Sequence, residues 1–374
     1  MKIVLVSEYY YPNIGGVEIV FQNLAEQLAK KHDVHIVTCK LKGTKNEEVF
    51  NNVHIHRIFT FPFADRYFFT FFSIFKLLKI SRNADIIHGT LYNAAFPAWF
   101  CGKVLRKKII LTVHEVLGDR LTKVFEISKI SAFFHMFLEK IILKLKFDYY
   151  ICVSDSAKRD LEKLKIPKNK IRRIYNGISD DLYNFKCKDK PDLRKELNLP
   201  EKSFLYLYFG RPGVSKGLEY LIRAIPEIIL KIPESKFILI LGNKPLSRYN
   251  LILDLINKLK IEKNIILYPS KPLSELKKYI RACDLGVIPS LSEGFGFTAA
   301  ECCALGIPVA VSKVDSLPEV VCGKVIFMEP KNPKSISQAV INAYRKRFDE
   351  IPAKKFSWIS NASEHEEVYI LRRF

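Results

Sequence analysis

The segment Pro289–Ser312 reads PSLSEGFGFTAAECCALGIPVAVS, and it determines the fold expected for the second half of the chain. An apolar run ends at Pro289, a turn with two glycines covers Glu293–Phe297, and an apolar helical pattern leads to a second run, Ile307–Ser312. Strand, glycine turn, helix and strand form one unit of a doubly wound α/β sheet. Ligands bind beside the carboxyl ends of such strands, so this turn is a candidate binding loop.

Two carboxylates belong to this segment, one in the turn before the helix and one on the helix. Glu301 lies eight residues after Glu293, roughly two helical turns further along. Glycines let backbone N–H groups approach a ligand, and a carboxylate can accept two hydrogen bonds from a vicinal diol such as a ribose. As alternatives, Glu293 complements the helix dipole and Glu301 faces solvent. However, Glu301 stands among apolar residues, where a carboxylate without a partner is costly.

The alternation of apolar runs and helical patterns covers the rest of the chain as well. Runs that are apolar on both faces suit central strands of a parallel sheet, and the helical pattern Val17–Lys31 joins the first two into a βαβ unit. The sequence therefore predicts an α/β protein of two Rossmann-like domains that face each other across a cleft. The other predicted strands are Lys2–Val6, Val34–Thr38, Asp85–His88, Lys108–Val113, Asp148–Val153, Phe204–Phe209, Lys236–Leu241, Asn264–Pro269 and Asp284–Pro289.

The composition favours an anionic partner. The 374 residues include 60 lysines and arginines against 39 aspartates and glutamates, a formal net charge of +21. Such a surface attracts nucleic acid, anionic lipid headgroups or phosphorylated substrates. The basic residues are spread along the whole chain, which argues against a basic tail and, more weakly, against a nucleic-acid module.

The cysteines and the apolar stretches indicate where in the cell the protein is expected. The eight cysteines lack zinc-type spacing and mostly stand in apolar stretches, so reduced and buried thiols are expected. We expect no signal peptide, because the first apolar run is short and Glu8 follows it. The best candidate for a membrane span, Tyr67–Phe75, is far shorter than the ~20 residues required. A cytoplasmic protein is expected, with peripheral attachment to the inner face of the membrane as an open question.

Two further loops have the composition of anion-binding sites. Gly15 and Gly16 precede a helical pattern, but the third glycine of a dinucleotide fingerprint is missing, and a tight turn is the alternative. The loop Gly210–Gly217, GRPGVSKG, follows a predicted strand. Its cations Arg211 and Lys216 suit a diphosphate, and a solvated basic loop is the alternative.

EGFGFTAAE at Glu293–Glu301 resembles the E-x7-E signature of the family 4 retaining glycosyltransferases, which have the GT-B fold. The resemblance extends over nearly the whole chain, and the order of its motifs makes it specific. The other matching motifs are SEYYYPNIGGVE (Ser7–Glu18), LTVHEV (Leu111–Val116), VSDSAKRDL (Val153–Leu161), IYNGIS (Ile174–Ser179) and GRPGVSKGLEYLIRA (Gly210–Ala224).

The resemblance implies a role for each matching residue of the second domain. Glu301 would hold the hydroxyls of the nucleotide ribose, and Glu293 would contact the donor sugar. Arg211 and Lys216 would bind the diphosphate and stabilise the leaving nucleotide. The backbone of four residues would line the sugar and phosphate: Phe295, Gly296, Phe297 and Thr298.

The resemblance implies fewer contacts from the first domain. Gly16, with Gly15 before it, would bring backbone close to the diphosphate, and His114 would touch the donor sugar near the reacting carbon. His88 also ends a predicted strand, but a core histidine is at least as plausible there. Three departures from the family pattern put sugar specificity in doubt: Glu115 where an Asp is frequent, Asp315–Ser316 where two glycines are frequent, and Tyr175 in place of a Pro.

The implied reaction is transfer of a sugar from a nucleotide-diphosphate sugar, such as a UDP- or GDP-sugar, to an acceptor hydroxyl with retention of configuration. No cofactor and no metal are expected, because the two cations and the helix N-termini supply positive charge to the departing diphosphate. The predicted domains are residues 1–180 and 181–355, with a linker within Ile174–Pro200. A last helix within 356–374 would pack back on the first domain through Trp358, Val368 and Leu371.

The first domain is expected to bind the acceptor, a glycan or a lipid-linked molecule. Two of its segments, Ile58–Ile80 and Phe125–Phe147, combine many phenylalanines with lysine and arginine. Such helices can lie in a lipid interface, and buried core helices are the alternative. Two other functions remain as alternatives: a non-hydrolysing sugar-nucleotide epimerase of the same fold, and a nucleic-acid-binding protein, which would not explain Glu293 and Glu301.

Overall fold

The computed structural model describes residues 1–13, 15–61, 65–125, 127–186 and 189–373. The chain forms two compact units. The first contains Met1–Thr122, Ile127–Gly177 and the C-terminal segment from Phe356 onward, and the second contains Ile178–Lys355 with a short segment that begins at Lys123. Each unit is built around one twisted sheet covered by helices.

The sheet of the first unit has eight strands in the order β3-β4-β2-β1-β5-β6-β7-β8. Neighbouring strands are parallel, except that β3 pairs antiparallel with β4 at the edge. The strands are β1 Lys2–Val6, β2 Asp33–Cys39, β3 Glu47–Phe50, β4 Val53–Ile58, β5 Ile86–Thr90, β6 Lys108–Val113, β7 Tyr149–Cys152 and β8 Ile171–Arg173. The helices are α1 Gly16–Leu28, α2 Asp65–Ile80, α3 Ala95–Val104, α4 Arg120–Lys123, α5 Lys129–Lys144 and α6 Asp155–Lys163.

The sheet of the second unit has seven strands in the order β11-β10-β9-β12-β13-β14-β15, and only β15 is antiparallel to its neighbour. The strands are β9 Leu205–Gly210, β10 Lys236–Leu241, β11 Ile265–Pro269, β12 Leu285–Ile288, β13 Val309–Ser312, β14 Gly323–Met328 and β15 Asp349–Ile351. The helices are α7 Asp180–Tyr183, α8 Lys190–Glu196, α9 Leu218–Lys231, α10 Leu246–Leu259, α11 Leu273–Ala282, α12 Phe297–Ala304, α13 Leu317–Val320 and α14 Pro333–Tyr344.

Both sheets share one topology. The parallel strands of each unit, numbered along the chain, stand in the order 3-2-1-4-5-6, with one more strand after the sixth in the first unit. This is the Rossmann order, and it places the switch point between β1 and β5 in the first sheet and between β9 and β12 in the second. The prediction of two Rossmann-like α/β sheets is therefore confirmed. Strands β1, β6 and β10 have the bounds that were predicted for them.

The segment predicted as a linker is only partly one. Helix α8, which lies within it, is bound to the second unit by Arg194, whose guanidinium contacts Asp284 Oδ2 (2.7 Å) and donates to the carbonyl of Ala282 (3.0 Å). Lys190 also pairs with Asp284, at 2.9 Å. A polar composition suggested a solvated linker, whereas these charged side chains anchor a short helix.

The C-terminal helix α15, Trp358–Ile370, belongs to the first unit, where it packs against α1. Trp358 and Val368 are buried as predicted, but Leu371 is 39% exposed, so its assignment to the packed face is wrong. Leu371 lies beyond the last helical turn. Leu371 is attached to the sheet through its backbone, because its carbonyl accepts a hydrogen bond from the Nζ of buried Lys108 (2.7 Å).

No helix in the described part of the chain is long and apolar enough to cross a membrane.

Candidate active site

Two loops meet at the switch point of the second sheet. The loop after β9 carries Arg211 and Lys216, and the loop after the neighbouring strand β12 carries Glu293. They are joined by a hydrogen bond from the Leu291 amide to the Ser215 carbonyl (2.7 Å). Gly217 has a φ of +61°, and a Cβ there would lie 2.2 Å from the carbonyl oxygen of Pro289, so the close approach requires glycine. The topology thus brings together residues that lie about eighty positions apart in the sequence.

An ion pair lies at the centre of this loop pair. Lys216 Nζ is 2.8 Å from Glu293 Oε1, and Ser290 Oγ donates to the same oxygen at 2.7 Å. Glu293 is 8% exposed, so its carboxylate is held in place on a nearly buried loop. The lysine is only partly buried and keeps two of its three N–H donors for another partner. The ammonium group of Lys216 is therefore held in place by Glu293 and can still donate hydrogen bonds to a ligand.

Two residues that the sequence marked only as departures hold the Glu293 loop in place. Asp315 Oδ2 accepts hydrogen bonds from Ser292 Oγ (2.6 Å) and from the Glu293 amide (3.1 Å). Ser316 Oγ donates to the Glu293 carbonyl (2.9 Å). Asp315 has a φ of +42°, the left-handed region in which glycine is easiest and Asp is tolerated. The side chains of Asp315 and Ser316 thus hold the loop of Glu293 in place, and no sequence pattern indicated these contacts.

Glu301 lies on α12, and no hydrogen bond or charge of a described residue acts on its carboxyl, for which desolvation is the only influence. The residue keeps some solvent contact, yet the surrounding protein raises the pKa of its carboxyl to about 7 by desolvation. A polar group that is desolvated without a protein partner is costly, and it is frequently a ligand contact. From its apolar neighbours, the sequence analysis expected Glu301 to need a partner.

The remaining predicted residues of the second unit lie around these two glutamates. Gly296 precedes α12 with a φ of +96°, and a Cβ there would lie 2.7 Å from Leu317, so glycine is required. Phe295 is buried, whereas Phe297 and Thr298 are partly exposed. Thr298 borders a narrow cavity of about 20 Å³ together with Lys216 and Ser290. Arg211 is exposed.

The glycine loop of the first unit is less open to an anion than the sequence suggested. Gly15 stands before α1, and Gly16 is the first residue of the helix. A Cβ built on Gly16 would meet nothing within 4 Å, so its backbone is accessible. However, the Glu18 carboxylate is directed at Gly15 and accepts a hydrogen bond from Asn13 (3.0 Å). A diphosphate at this helix N-terminus would have to share the position with that negative charge.

The two strand-end histidines of the first unit differ in their surroundings. His88 is fully buried, and its ring nitrogens bond Tyr369 Oη and Thr112 Oγ1, both at 2.7 Å. It is therefore a core histidine that ties α15 to the sheet. His114, just after β6, has a buried Nε2 with no hydrogen-bond partner in the described residues. Burial lowers its pKa to about 4, so the ring is neutral at neutral pH and has an unused nitrogen.

A cavity of about 250 Å³ that the sequence did not reveal lies in the first unit, bordered by residues that follow β1, β5 and β6 and by α2 and α5. Glu8 lines it, and its carboxylate contacts Arg66 Nε (2.9 Å) and accepts a hydrogen bond from Asn93 Nδ2 (2.8 Å). Burial raises the pKa of Glu8, and Arg66 partly offsets this. On α5, the Glu139 carboxylate accepts hydrogen bonds from the amides of Leu117 and Gly118 (both 2.8 Å) and so fixes the cavity wall. The sequence feature that could have indicated this cavity is the acidic residue Glu8, which follows shortly after β1.

Comparison with known proteins identifies the family of the chain. The model of the glycosyltransferase family 4 domain matches residues 14–182, and the model of the group 1 glycosyl transferases matches residues 189–364. The chain belongs to glycosyltransferase family 4. The resemblance seen in the motifs is thereby confirmed at the level of the family, and the fold is GT-B.

Several proteins are similar to this glycosyltransferase over nearly its full length. An uncharacterized glycosyltransferase of Methanocaldococcus jannaschii is 28% identical, over 99% of this chain and 98% of the relative. The GPI3 subunit of the phosphatidylinositol N-acetylglucosaminyltransferase of Saccharomyces cerevisiae is 23% identical, over 98% and 82%. HepE of Anabaena, solved with UDP and glucose, superposes with a TM-score of 0.78 at 16% identity over 98% and 99% of the two chains, which shows a shared fold.

The glycosyltransferase exposes a large apolar surface on its first unit. On α2 and α5 a single narrow face is buried, through Phe69, Ser73 and Leu77 on α2 and through Ala132, Glu139 and Leu143 on α5. The interpretation of these segments as entirely core helices is therefore wrong, although residues 62–64 of the first one lie outside the described residues. The exposed apolar side chains are Phe59, Phe61, Tyr67, Phe71, Phe72 and Phe75 in the first segment and Ile130, Phe133, Phe134, Phe137, Leu138 and Ile141 in the second.

A second cavity of the glycosyltransferase, about 730 Å³, opens beside the end of α5. Its floor is apolar, with Leu143, Phe147 and Ile166, and no carboxylate of a described residue lines it. Lys163 pairs with Asp160 (3.0 Å), which stands outside the lining. The positive charge around one opening is thus concentrated. The lining lysines are Lys140, Lys144, Lys146, Lys163, Lys165 and Lys170.

Proposed function

We propose that this glycosyltransferase transfers a sugar from a nucleotide-diphosphate sugar to an acceptor hydroxyl, with retention of configuration and without a metal ion. The observation that carries the proposal is the Glu301 carboxylate, which is desolvated and has no partner among the described residues. The Lys216–Glu293 ion pair stands on loops of the same sheet. A ribose diol satisfies such a carboxylate through two hydrogen bonds. The Anabaena protein of the same fold was solved with UDP, which supports a nucleotide donor.

In this proposal the leaving diphosphate is stabilised by fixed cations. The bond between the anomeric carbon and the phosphate oxygen breaks, negative charge develops on that oxygen, and the two free N–H donors of Lys216 are available to it. The exposed guanidinium of Arg211 closes on the same group in a bidentate manner. The acceptor oxygen joins the face of the sugar that the phosphate leaves, and its proton passes to the released diphosphate.

Glu293, His114 and backbone groups would orient the donor. The Glu293 carboxylate, fixed by Lys216 and Ser290, accepts hydrogen bonds from sugar hydroxyls. The neutral His114 ring offers its unpartnered Nε2 to the donor sugar. The backbone of Phe295–Thr298 lines the phosphate and the sugar, because α12 begins there. Gly16 offers accessible backbone to the diphosphate, and Glu18 limits how much charge that loop accepts.

The acceptor is proposed to be a lipid or a lipid-linked glycan on an anionic membrane surface. The cavity beside Glu8 and Asn93 provides carboxylate and amide groups for an acceptor hydroxyl, and the exposed aromatic faces of α2 and α5 flank it. Aromatic residues with adjacent lysines suit a lipid interface. The lysine-lined cavity beside α5 adds attraction to phosphorylated headgroups. The yeast relative is named for phosphatidylinositol, which supports a lipid acceptor.

A two-step experiment tests the proposed function. A thermal-shift screen against UDP-, GDP- and ADP-sugars identifies the donor, because a ligand bound only to the native state raises the melting temperature. The reaction with that donor is then followed by NMR with and without lipid acceptors. We expect acceptor-dependent transfer with the anomeric configuration of the donor, in the presence of excess EDTA. Inversion, strict dependence on a divalent ion, or epimerisation of the donor without an acceptor would contradict the proposal.

A further inference from the structure

Histidines and an aspartate cluster at one edge of the first sheet, at the amino ends of β2 and β4. Asp33 is the first residue of β2, and His35 follows two positions later on the same face. In the register of the parallel strands His35 lies opposite His54, and His56 follows on β4. Three positions of this edge therefore place imidazoles side by side on one face of the sheet.

The side chains of this edge form a chain of polar contacts. His35 Nε2 is 3.1 Å from Asp33 Oδ1, and His35 Nδ1 is 2.9 Å from His56 Nε2. His56 Nδ1 is 3.4 Å from Glu47 Oε1. His54 Nε2 lies 3.8 Å from the same Asp33 oxygen, with its ring stacked on that of His35. One atom from each of Asp33, His35 and His54 falls within 4.8 Å of the others.

The contact chain needs more protons than its rings supply. Three contacts run from Asp33 through His35 and His56 to Glu47, and each requires one hydrogen. Two neutral imidazoles provide only two N–H groups. With neutral rings one of the three contacts is therefore left without a hydrogen, and a cation can take its place.

The Asp33 end of the chain is the end where three candidate ligands converge. His35 Nε2 and His54 Nε2 both approach the same oxygen of Asp33, at 3.1 Å and 3.8 Å. A cation placed among these three atoms would contact both imidazole nitrogens and the carboxylate.

We propose that Asp33, His35 and His54 bind a transition-metal ion of the Zn²⁺, Ni²⁺ or Cu²⁺ class. Two imidazole nitrogens and a carboxylate suit these ions, and the positions left free would be taken by water. The ligand atoms must approach to the ~2.0–2.2 Å bonds of a zinc site, which is feasible because the side chains of Asp33 and His54 are about half exposed. Lys2, whose charge acts on His35, is a local group that opposes the ion.

His56 and Glu47 would act as positioning residues for the metal. A metal-bound histidine usually donates its other ring N–H to an acceptor, which fixes its tautomer, and His35 Nδ1 has such an acceptor in His56. The site fastens β4, and through Glu47 the edge strand β3, to β2. The site lies at the amino ends of β2 and β4, whereas the loop that follows β1 lies at the carboxyl ends of the strands. The bound ion is therefore structural, and it takes no part in sugar transfer.

The test uses the full chain without an affinity tag, stripped with EDTA and then titrated with Zn²⁺ by calorimetry and with Co²⁺ by visible absorption. We expect one equivalent to bind and the thermal midpoint to rise. His54→Gln and Asp33→Asn should each abolish this uptake, and His56→Gln should weaken it roughly 10–100-fold. His32→Gln is the matched control, because His32 pairs instead with Glu366 (2.9 Å) and should leave uptake unchanged.

Two results would overturn the metal site. One is Zn²⁺ uptake by the wild type that is no greater than that of the folded His54→Gln variant, with folding checked by circular dichroism. The other is an NMR titration in which saturating Zn²⁺ shifts no ring resonance of His35 or His54, because the ion would then bind elsewhere. Donor binding should be the same before and after EDTA, so failure of the metal site is distinguishable from failure of the proposed transfer reaction.

Discussion

The Glu301 carboxyl titrates near neutral pH, since its pKa is raised to about 7 by desolvation. Its ionised form is the better acceptor for two ribose hydroxyls, so donor affinity should increase severalfold between about pH 6 and about pH 8. The free protein should show the opposite trend, because the folded state binds more protons than the unfolded state between pH 4.5 and about 7 and loses stability as pH rises through that window. Calorimetric titrations across this range measure the first effect.

The matched variant is Glu301→Gln, which cannot ionise but keeps the size of the side chain. Its donor affinity should be weak and independent of pH over the same range. A wild-type affinity that does not change with pH, or a pH dependence that survives in Glu301→Gln, would contradict the assignment of Glu301 to the donor.

Arg211 and Lys216 should have equal importance for turnover and different importance for stability. Replacing either by Ala removes one cation from the leaving diphosphate, which typically costs ~10²–10³ in rate. Lys216→Ala also leaves the nearly buried Glu293 carboxylate without its cation, whereas Arg211 is exposed. Thermal unfolding should therefore show a lower midpoint for Lys216→Ala only.

Arg223→Ala serves as the control for these two variants, because Arg223 is an exposed cation on α9 away from the loop. It should change neither turnover nor stability. Equal turnover of Arg211→Ala and Arg223→Ala would remove Arg211 from the proposed mechanism.

At the scale of elements, α5 should bind the chain to anionic vesicles. Each exposed lysine near an anionic surface contributes about 1 kcal/mol at most, and the attraction falls off within a Debye length. Wild-type protein should therefore sediment with vesicles of phosphatidylglycerol at low salt and less at high salt. Lys140→Glu with Lys144→Glu should abolish this, because both lysines stand on α5 and line the lysine-rich cavity.

The control is the double variant Lys258→Glu with Lys260→Glu, which changes the net charge by the same amount. These lysines lie at the exposed end of α10 in the second unit. This variant should still sediment. If wild-type protein remains in the supernatant at low salt, the membrane proposal fails.

The stability of helix α15 should depend on Lys108, a buried lysine of β6. Lys108 Nζ donates to the carbonyls of Val368 (2.6 Å), Tyr369 (3.0 Å) and Leu371 (2.7 Å), which closes the end of the helix. Lys108→Met leaves these carbonyls without a donor and should lower the free energy of unfolding by about 1–3 kcal/mol in urea denaturation. Lys103→Met, an exposed change on α3, should be neutral. Equal stability of the two variants would show that the carbonyls find water instead.

Most of the strands that sequence patterns predicted are buried on both faces. The five residues of β5 and the six of β6 are all buried, and mainly apolar runs of this kind are typical of central parallel strands. The less buried edge strand β11 was predicted as well. Two other edge strands gave no such signal: β3 alternates between exposed and partly exposed residues, and β15 consists mainly of charged ones. Their pairing depends on register with a neighbour, which cannot be derived from a short local sequence.

At the scale of the whole molecule, two sheets of the same topology each place their functional candidates at a switch point. In the second unit this was predictable, because glycines and charged residues stand directly after apolar runs at Arg211 and Glu293. Contacts between distant segments were not predictable, such as Asp315 bracing the Glu293 loop and Glu8 meeting Arg66 in a cavity. Side chains from different loops meet there, and only the folded chain shows which polar groups are satisfied.

The most direct test is calorimetric titration of the nucleotide sugar selected by the thermal-shift screen into wild-type protein and Glu301→Ala. We expect one binding site per chain in the wild type, and at least a tenfold loss of affinity in the variant with its melting temperature without ligand preserved or raised, since a desolvated carboxylate is removed. Acceptor binding should be unchanged. Donor affinity that is equal in the two proteins would contradict the assignment of this site to a nucleotide-sugar donor.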